Sequence, residues 1–449
     1  MEKWRGIADR VIRAVLDAAD AGKVVRRAWE EIPAGPLLVL SIGKASIEMA
    51  AATHDLLADR EYEGIVTAVP ERLKQASVAS CASGSAGAPG TALGPRWRVF
   101  PCDHPLATQR NLDAASFIES RMRQFASRNA RGGQVLVLIS GGGSAHLTLP
   151  AEGVSLGAYI ELQRRLMLAG ATIDDLNAVR KHAERLKGGR LAEIAASAHT
   201  RALVISDVID DPLDVIASGP LSPDPTTFAD AIGVIKRFDL MGVCPQVDAL
   251  LSRGEDGQLP ETPKAGAQAF VNVEARIIAS NALAVHAAAC AIQSGACAPN
   301  RRTGVVGEAR QIARDLVDAL AGAQLRDQSP ACMVWGGEPT VDVGNSAGRG
   351  GPSQEVALAG AIELERRGME DACVIAFSTD GIDGPTDIAG GIADAALCRQ
   401  LRAVGRDPSA MLATHESASA LELTSRAIRT GPTGTNVNHV FVAMSKLNP

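Results

Sequence analysis

Four loops of this chain place chemically competent groups directly after runs of apolar β-formers. In QVLVLISGGGSAHLTLP, the run Gln134–Ile139 ends in Ser140, three consecutive glycines (Gly141, Gly142, Gly143) and Ser144. A strand feeding a bare backbone loop lets amide N–H groups close on an anion. Consecutive glycines forgo side-chain contacts and raise the entropy cost of ordering, so they point to a close approach to that backbone. The plainer alternative is an ordinary turn, because glycine accepts positive φ without cost. The same grammar recurs in SIGKAS with Lys44, in VISDVIDD with Asp207, Asp210 and Asp211, and in FSTDGIDG with Asp380 and Asp383.

Phosphoryl transfer requires these ingredients: positive charge on the moving group, a cradle for the remaining phosphates, a metal, and a carboxylate that takes a hydroxyl proton or holds that metal. Lys44 at a strand exit can reach an anion as a point charge. A lysine at a helix N-terminus opposes the helix dipole, which favours a functional reason, and a solvated lysine opening a helix is the alternative. Asp207 with Asp210, Asp211 and Asp214, and Asp380 with Asp383 and Asp387, have the density that suits Mg2+. Acidic turns that cap helices would look the same. In NAVRKHAERLKGGRLA, Arg180 and Lys187 stand seven residues apart and share a helical face, with Lys181 and Arg190 nearby. They could clamp a carboxylate or phosphates, or form a solvated basic face. Gly188–Gly189 inside a helix would cost about 1 kcal/mol each, which tilts the segment towards function. His104, His146, His182 and His439 are scattered with no HxxxH spacing, and His146 reads as a packing residue.

The elements that must position these groups alternate strand and helix, which predicts an α/β fold with a largely parallel sheet. Strands are expected at Pro36–Ile42, Gly64–Pro70, Gln134–Ile139, Arg201–Ser206, Val271–Ala279 and Cys373–Phe377, with another from Val440. Two short strands, Cys332–Trp335 and Thr340–Val343, are expected to flank Gly336–Gly337. Helices are expected at the N-terminus, Ala45–Leu57, Asn111–Asn129, Ser155–Ala169, Asp174–Ala196 with a break at Gly188–Gly189, Thr226–Arg237, Asn281–Ile292, Glu308–Ala321 and Ser353–Arg366. Ala76–Pro95 has no apolar period and reads as a surface loop. Met241–Ala267, rich in Pro, Gly and charge, reads as a boundary, giving domains 1–240 and 241–449. Ligands in such folds bind outside the carboxyl ends of strands, where all four loops fall.

Composition narrows the function classes. An apolar fraction of 46% and a charged fraction of 21% fit a globular protein, and 449 residues exceed one ordinary core. A net charge of −6 argues against a nucleic-acid partner. No apolar run approaches the ~20 residues of a membrane helix, and the start lacks the pattern of a signal peptide. Eight scattered cysteines without a CxxC pair favour a reducing cytoplasm and offer no zinc site.

Taken together, SIGKAS, LISGGGSA, LNAVRKH, LKGGRLA, VISDV, IASGPLSPDPTTFADA, SNALA, WGGEPTV, STDGIDGPTDIAGG and GPTGTNVN resemble the D-glycerate 2-kinase family, whose C-terminal half is called a MOFRL domain. Members have also carried the name hydroxypyruvate reductase. The resemblance covers nearly the whole chain. It implies a Rossmann-like N-terminal domain, a smaller α/β C-terminal domain, and ATP- and Mg2+-dependent phosphorylation of a small hydroxy acid, most often D-glycerate at its 2-hydroxyl. It implies a catalytic Lys44 and a nucleotide loop at Gly141, Gly142, Gly143 and Ser144; Lys187 is expected to assist nucleotide binding, and Ser46, Arg180 and Glu338 to contact the substrate. Asp207 is expected as catalytic carboxylate and, with Asp380 and Asp383, as metal ligand. A homodimer is left open. The chain departs from the family where Gly-Gly-Arg-Asn-Gln-Glu becomes GGPSQE: Pro352 and Ser353 replace the arginine and asparagine, and Arg349 is the nearby guanidinium that could substitute. His439 replaces an aspartate, His104–Thr108 lacks an acid, and His146 stands where leucine is usual. These departures suggest an altered substrate or weakened catalysis, so a paralogue that binds nucleotide or hydroxy acid without turnover is the second reading. A nicotinamide-dependent reductase ranks last, because no GxGxxG fingerprint follows a strand.

Overall fold

Six segments pair side by side into one sheet: β1 (Leu37–Ile42), β2 (Glu63–Ala68), β3 (Trp97–Pro101), β4 (Gln134–Ile139), β5 (His199–Ile205) and β6 (Val273–Ala279). The computed structural model describes residues 1–75, 93–129, 132–292, 298–327, 331–344 and 346–445. The expected loop Ala76–Pro95 therefore lies mostly outside the described residues. The strand order is β3-β2-β1-β4-β5-β6, and the β3/β2, β2/β1, β1/β4 and β4/β5 pairs are parallel. Every residue of β1 and β4 is buried, which explains their unbroken apolar runs: a parallel strand covered on both faces has no solvent side to alternate with. The order reverses between β1 and β4, making their exits the switch point of a doubly wound sheet.

By its contacts the chain divides into two compact units. One comprises Val24–Ser206 and Asp211–Ile278, and the other Met1–Lys23, Asp207–Asp210 and Ala279–Pro449. This differs at both ends from the division at 240/241 read from composition. The segment Met241–Ala267 is no linker. Its helix Pro245–Glu255 buries Val247 and Leu251 against Tyr159, Leu162, Val179, Phe228 and Ile235, contributed by three other helices. At the N-terminus, Trp4, Ile7, Val11, Ile12 and Val15 form the buried stripe of helix Glu2–Ala19. That stripe packs on helix Asn281–Ile292, far away in sequence. Each large apolar side chain so buried contributes roughly 1.5–3 kcal/mol, enough to decide which unit the helix joins.

The second unit holds β7 (Asn300–Glu308), β8 (Cys332–Thr340), β9 (Ala372–Ser378), β10 (Gly390–Asp394), β11 (Ala427–Ile428) and β12 (His439–Ser445), in the order β11-β10-β9-β12-β8-β7. All its pairs are antiparallel except β7/β8. β8 corrects an expectation: it is one strand running through Gly336–Gly337, where two strands around a turn were read. The glycines are there for close approach. A Cβ on Gly337 would overlap the Val305 carbonyl of β7, and one on Gly336 would overlap the Asn281 side chain. β7 escaped the sequence reading because it is an edge strand with mostly exposed residues and no apolar pattern. Among the described residues no helix is long and apolar enough to cross a membrane. None of the six described cysteines is in a disulfide.

Candidate active site

At the β1 and β4 exits the two loops hold each other by backbone. Lys44 N donates to Gly141 O (2.8 Å) and Ser140 N to Ile42 O (3.0 Å). Ser140 Oγ accepts from Ala45 N (3.0 Å). Gly43 has φ +102°, and any Cβ there would overlap Ser140, so only glycine lets the loops come this close. His146 Nδ1 accepts from Gly43 N (3.1 Å) and from Thr67 Oγ1 (2.9 Å). Burial, first of all, pushes the pKa of this ring down to about 3. His146 is thus a neutral, fully buried brace for the lysine loop, in keeping with its reading as a packing residue.

The glycine loop keeps its amides available. Among the described residues, the N–H groups of Gly141, Gly142 and Ser144 have no acceptor, while Gly143 N is satisfied by Ser140 O (3.2 Å). The Lys44 side chain is exposed. A Cβ built on Gly142 (φ +84°) would lie 3.0 Å from His104 Cδ2 and 3.2 Å from Lys44 Cγ, so these two side chains flank the bare backbone. The His104 pKa is lowered to about 4, by partial burial and then by the Lys44 charge. Its ring is therefore neutral near pH 7. Three amides and an ammonium with no competing carboxylate hydrogen-bonded to them form an anion cradle.

Sequence reasoning missed the floor of this loop. Ala217 and Ser218 are left-handed without being glycine, at φ +52° and +60°. Such backbone is typically strained by about 1–3 kcal/mol per residue and concentrates at functional sites. Ser218 Oγ bonds Ser144 Oγ (2.9 Å) and Asn177 Oδ1 (2.8 Å), tying the loop to helix Ile173–Ala183. The only sequence signal was the S-G-P triplet following Ala217.

Other expected contributors are committed elsewhere. The Ser46 hydroxyl is buried and donates to Thr67 O (2.6 Å), so it supports helix Ser46–Leu56 instead of facing a substrate. Lys187 is buried and paired with Glu184, which also accepts from the Tyr159 hydroxyl and from Leu149 N (3.0 Å). Burial lowers the Lys187 pKa to about 8. This lysine neutralises an internal carboxylate and is not part of the glycine loop. Lys181 lies buried between Asp214 and Asp224, at 3.2 Å from each. Arg180 Nε donates to Gln163 Oε1 (2.9 Å). The helix also breaks earlier than expected, at Glu184, so Arg180 and Lys187 do not share a helical face.

In the second unit, Asp207, Glu338 and Asp380 are electrostatically coupled. Glu338 is held above the usual carboxylate range, first by the protein mass around its carboxyl and then by the charges of Asp207 and Asp380. Asp380 Oδ1 accepts from Ser378 Oγ (2.6 Å) and Ile382 N (3.0 Å). Asp383 is also within electrostatic reach of Asp380, whose charge adds to the effect of burial in raising its pKa. It is buried, and its two oxygens accept from Ser353 N (3.1 Å) and Gln354 N (2.9 Å) at the start of helix Pro352–Arg366. Of the expected metal ligands Asp207, Asp380 and Asp383, Asp383 is already engaged as a helix cap. Among the described residues no three His, Cys, Asp or Glu side chains form a ready metal cage.

Family models match over most of the chain: a domain of unknown function, DUF4147, over residues 7–252, and the MOFRL family over residues 331–439. A D-glycerate 2-kinase of Thermotoga maritima is 32% identical over 449 residues, covering 99% of both chains. The chain belongs to the glycerate 2-kinase family. A crystal structure of glycerate kinase from Thermotoga maritima superposes with a TM-score of 0.85 at 30% identity, covering 99% of this chain and 100% of that one. An Agrobacterium vitis relative, provisionally named a hydroxypyruvate reductase, is 35% identical and covers 97% of this chain and 94% of its own.

The departures from the glycerate 2-kinase pattern fall together. Pro352 occupies the first position of helix Pro352–Arg366, where a missing N–H costs nothing. Ser353 Oγ and His439 Nδ1, two of the replaced positions, bond each other at 2.7 Å. Burial lowers the His439 pKa to about 4, so the ring is neutral beside Asp383. Arg349 does not substitute for the lost arginine: its guanidinium is engaged by Glu422 at 3.0 and 2.8 Å.

Proposed function

We propose that this protein is an ATP-dependent kinase that phosphorylates D-glycerate to 2-phosphoglycerate. The observation that carries the reading is the set of unpaired amides at Gly141, Gly142 and Ser144 beside the exposed Lys44, at the switch point of the sheet. In this reading the glycine loop holds nucleotide phosphates, and Lys44 neutralises charge on the transferring phosphoryl group. The substrate 2-hydroxyl oxygen bonds to the γ-phosphorus, the bond to the bridging oxygen breaks, and ADP leaves with that electron pair. The hydroxyl proton passes to a carboxylate. We assign that role to Asp207, whose charge, after desolvation, helps raise the Glu338 pKa. Asp207 and Asp380 are the carboxylates that would hold Mg2+, which would supply charge neutralisation at the phosphates. The family relatives named glycerate kinases support the same substrate. A reducing cytoplasm is the compartment we infer, supported by the absence of disulfides among the described cysteines.

The test is direct. Purified protein given ATP, Mg2+ and D-glycerate should release ADP, and phosphorus NMR should identify the 2-phosphoester. No ADP release across a panel of small hydroxy acids would overturn the proposal. A second reading, binding without efficient turnover, is favoured by Pro352 and by the Arg349–Glu422 pair. It predicts a ligand-induced rise in Tm without ADP.

A further inference from the structure

The basic segment after helix Ile173–Ala183 contains one cation that the glycine loop does not use and that nothing else neutralises directly. Arg190 follows Gly188 (φ +55°) and Gly189 (φ +82°). Among the described residues its guanidinium makes no hydrogen bond and no ion pair, and its Nε is fully buried without a partner. Glu193, Glu261 and Asp224 act on it only through space. A largely enclosed guanidinium left this way is costly unless something completes it.

Arg190 lines a cavity of about 210 Å3 together with Arg123, Arg185, Glu184 and Glu193. At ~30 Å3 per water, that is room for about seven waters, or for a phosphate carrying a short carbon chain. Three guanidinium groups face two carboxylates in the lining, the rest being His182 and apolar residues such as Phe228 and Leu250. Arg123 and Arg185 share a single carboxylate, Glu119, at 3.0 and 2.6 Å. Glu184 is already committed to Lys187, Tyr159 and Leu149 N. Glu193, which is exposed, is the lining carboxylate that opposes an anion. No lining residue belongs to the glycine loop or to Lys44.

We propose that this cavity is a second anion site, which takes a phosphate group on Arg190 with Arg123 and Arg185 at its mouth. The shared chemistry is a tetrahedral oxyanion, either free phosphate or the phosphoryl group of a small phosphorylated acid. The proposal does not depend on the chain being a glycerate kinase.

Titration calorimetry and thermal melting of the full chain, at ionic strength held constant with chloride, test it with two probes: inorganic phosphate and 2-phosphoglycerate. Either probe at about ten times its Kd should raise Tm by about 2–4 °C. Equal affinities would mean that only the oxyanion is read. Tighter binding of the phosphoester would mean that the carbon chain is read too. Arg190→Met should weaken binding at least tenfold, and Arg190→Lys by less. Glu193→Gln should tighten it two- to threefold, and this exposed change serves even if Arg190→Met folds poorly. No Tm shift in the parent protein, an unchanged affinity in Arg190→Met, or an unchanged affinity in Glu193→Gln would each overturn the site.

Discussion

Two turns of this molecule open helices with glycines in front of them, and they have opposite fates. In the first unit, Gly141, Gly142 and Ser144 leave three amides without an acceptor. In the second, the amides of Ser353 and Gln354, just after Gly350–Gly351, are closed by the Asp383 carboxylate. The backbone chemistry is alike: N–H groups gathered at a helix start favour an anion. In one turn the chain supplies its own carboxyl group as acceptor, and in the other it supplies a neighbouring ammonium instead. A glycine-rich turn of this chain thus keeps its amides available only where no internal carboxylate reaches it.

The largest expected effect breaks the open turn. Lys44→Met should lower kcat by about 10²–10³-fold, the range for losing one preorganised charge partner. Because Lys44 is exposed, Tm should barely move. Steady-state ADP release with melting curves checks both, and unchanged turnover would reduce the open turn to a simple loop.

A smaller effect sharpens the closed turn. Burial raises the Asp383 pKa from 3.8 to about 7 despite its two amide donors. The folded state therefore holds the proton more tightly than the unfolded chain. The resulting stabilisation is complete below about pH 3.8, declines as pH rises, and is lost as pH passes about 7. Asp383→Asn removes this titration and weakens the cap, so it should cost about 1 kcal/mol at pH 5. The gap to the parent protein should shrink by pH 8. Urea melts at four pH values measure it, and a constant gap would mean that Asp383 stays ionised throughout.

The smallest effect restores a cation beside the closed turn. Pro352→Arg should raise kcat several-fold and cost about 0.4–1 kcal/mol of stability, because proline is well suited to the first helical position. Initial-rate assays decide it. A fall in kcat would mean that the Ser353–His439 pair, not the missing guanidinium, sustains turnover.

Much of the fold was legible because its signals are local. The unbroken runs of β1 and β4 announced buried parallel strands, and the apolar stripe of Glu2–Ala19 announced a helix. The glycine loop and Lys44 were legible for the same reason: a strand exit is a local event. Illegible were the properties that depend on a distant partner. Nothing near Lys187 in sequence says that Tyr159 and Leu149 will join it around Glu184. Nothing near Asp383 says that helix Pro352–Arg366 will present amides to it. The left-handed backbone at Ala217 and Ser218 falls on non-glycine residues, marked only by the Gly219-Pro220 that follows.

The sequence by itself therefore determined which elements form, which family they compose and which loops carry polar chemistry, because periodicity and backbone freedom are properties of neighbouring residues. Only the tertiary structure decided which charges remain available. A carboxylate or an ammonium is spent or spare according to what the fold brings within hydrogen-bond reach, and that distance is set by packing between segments tens of residues apart.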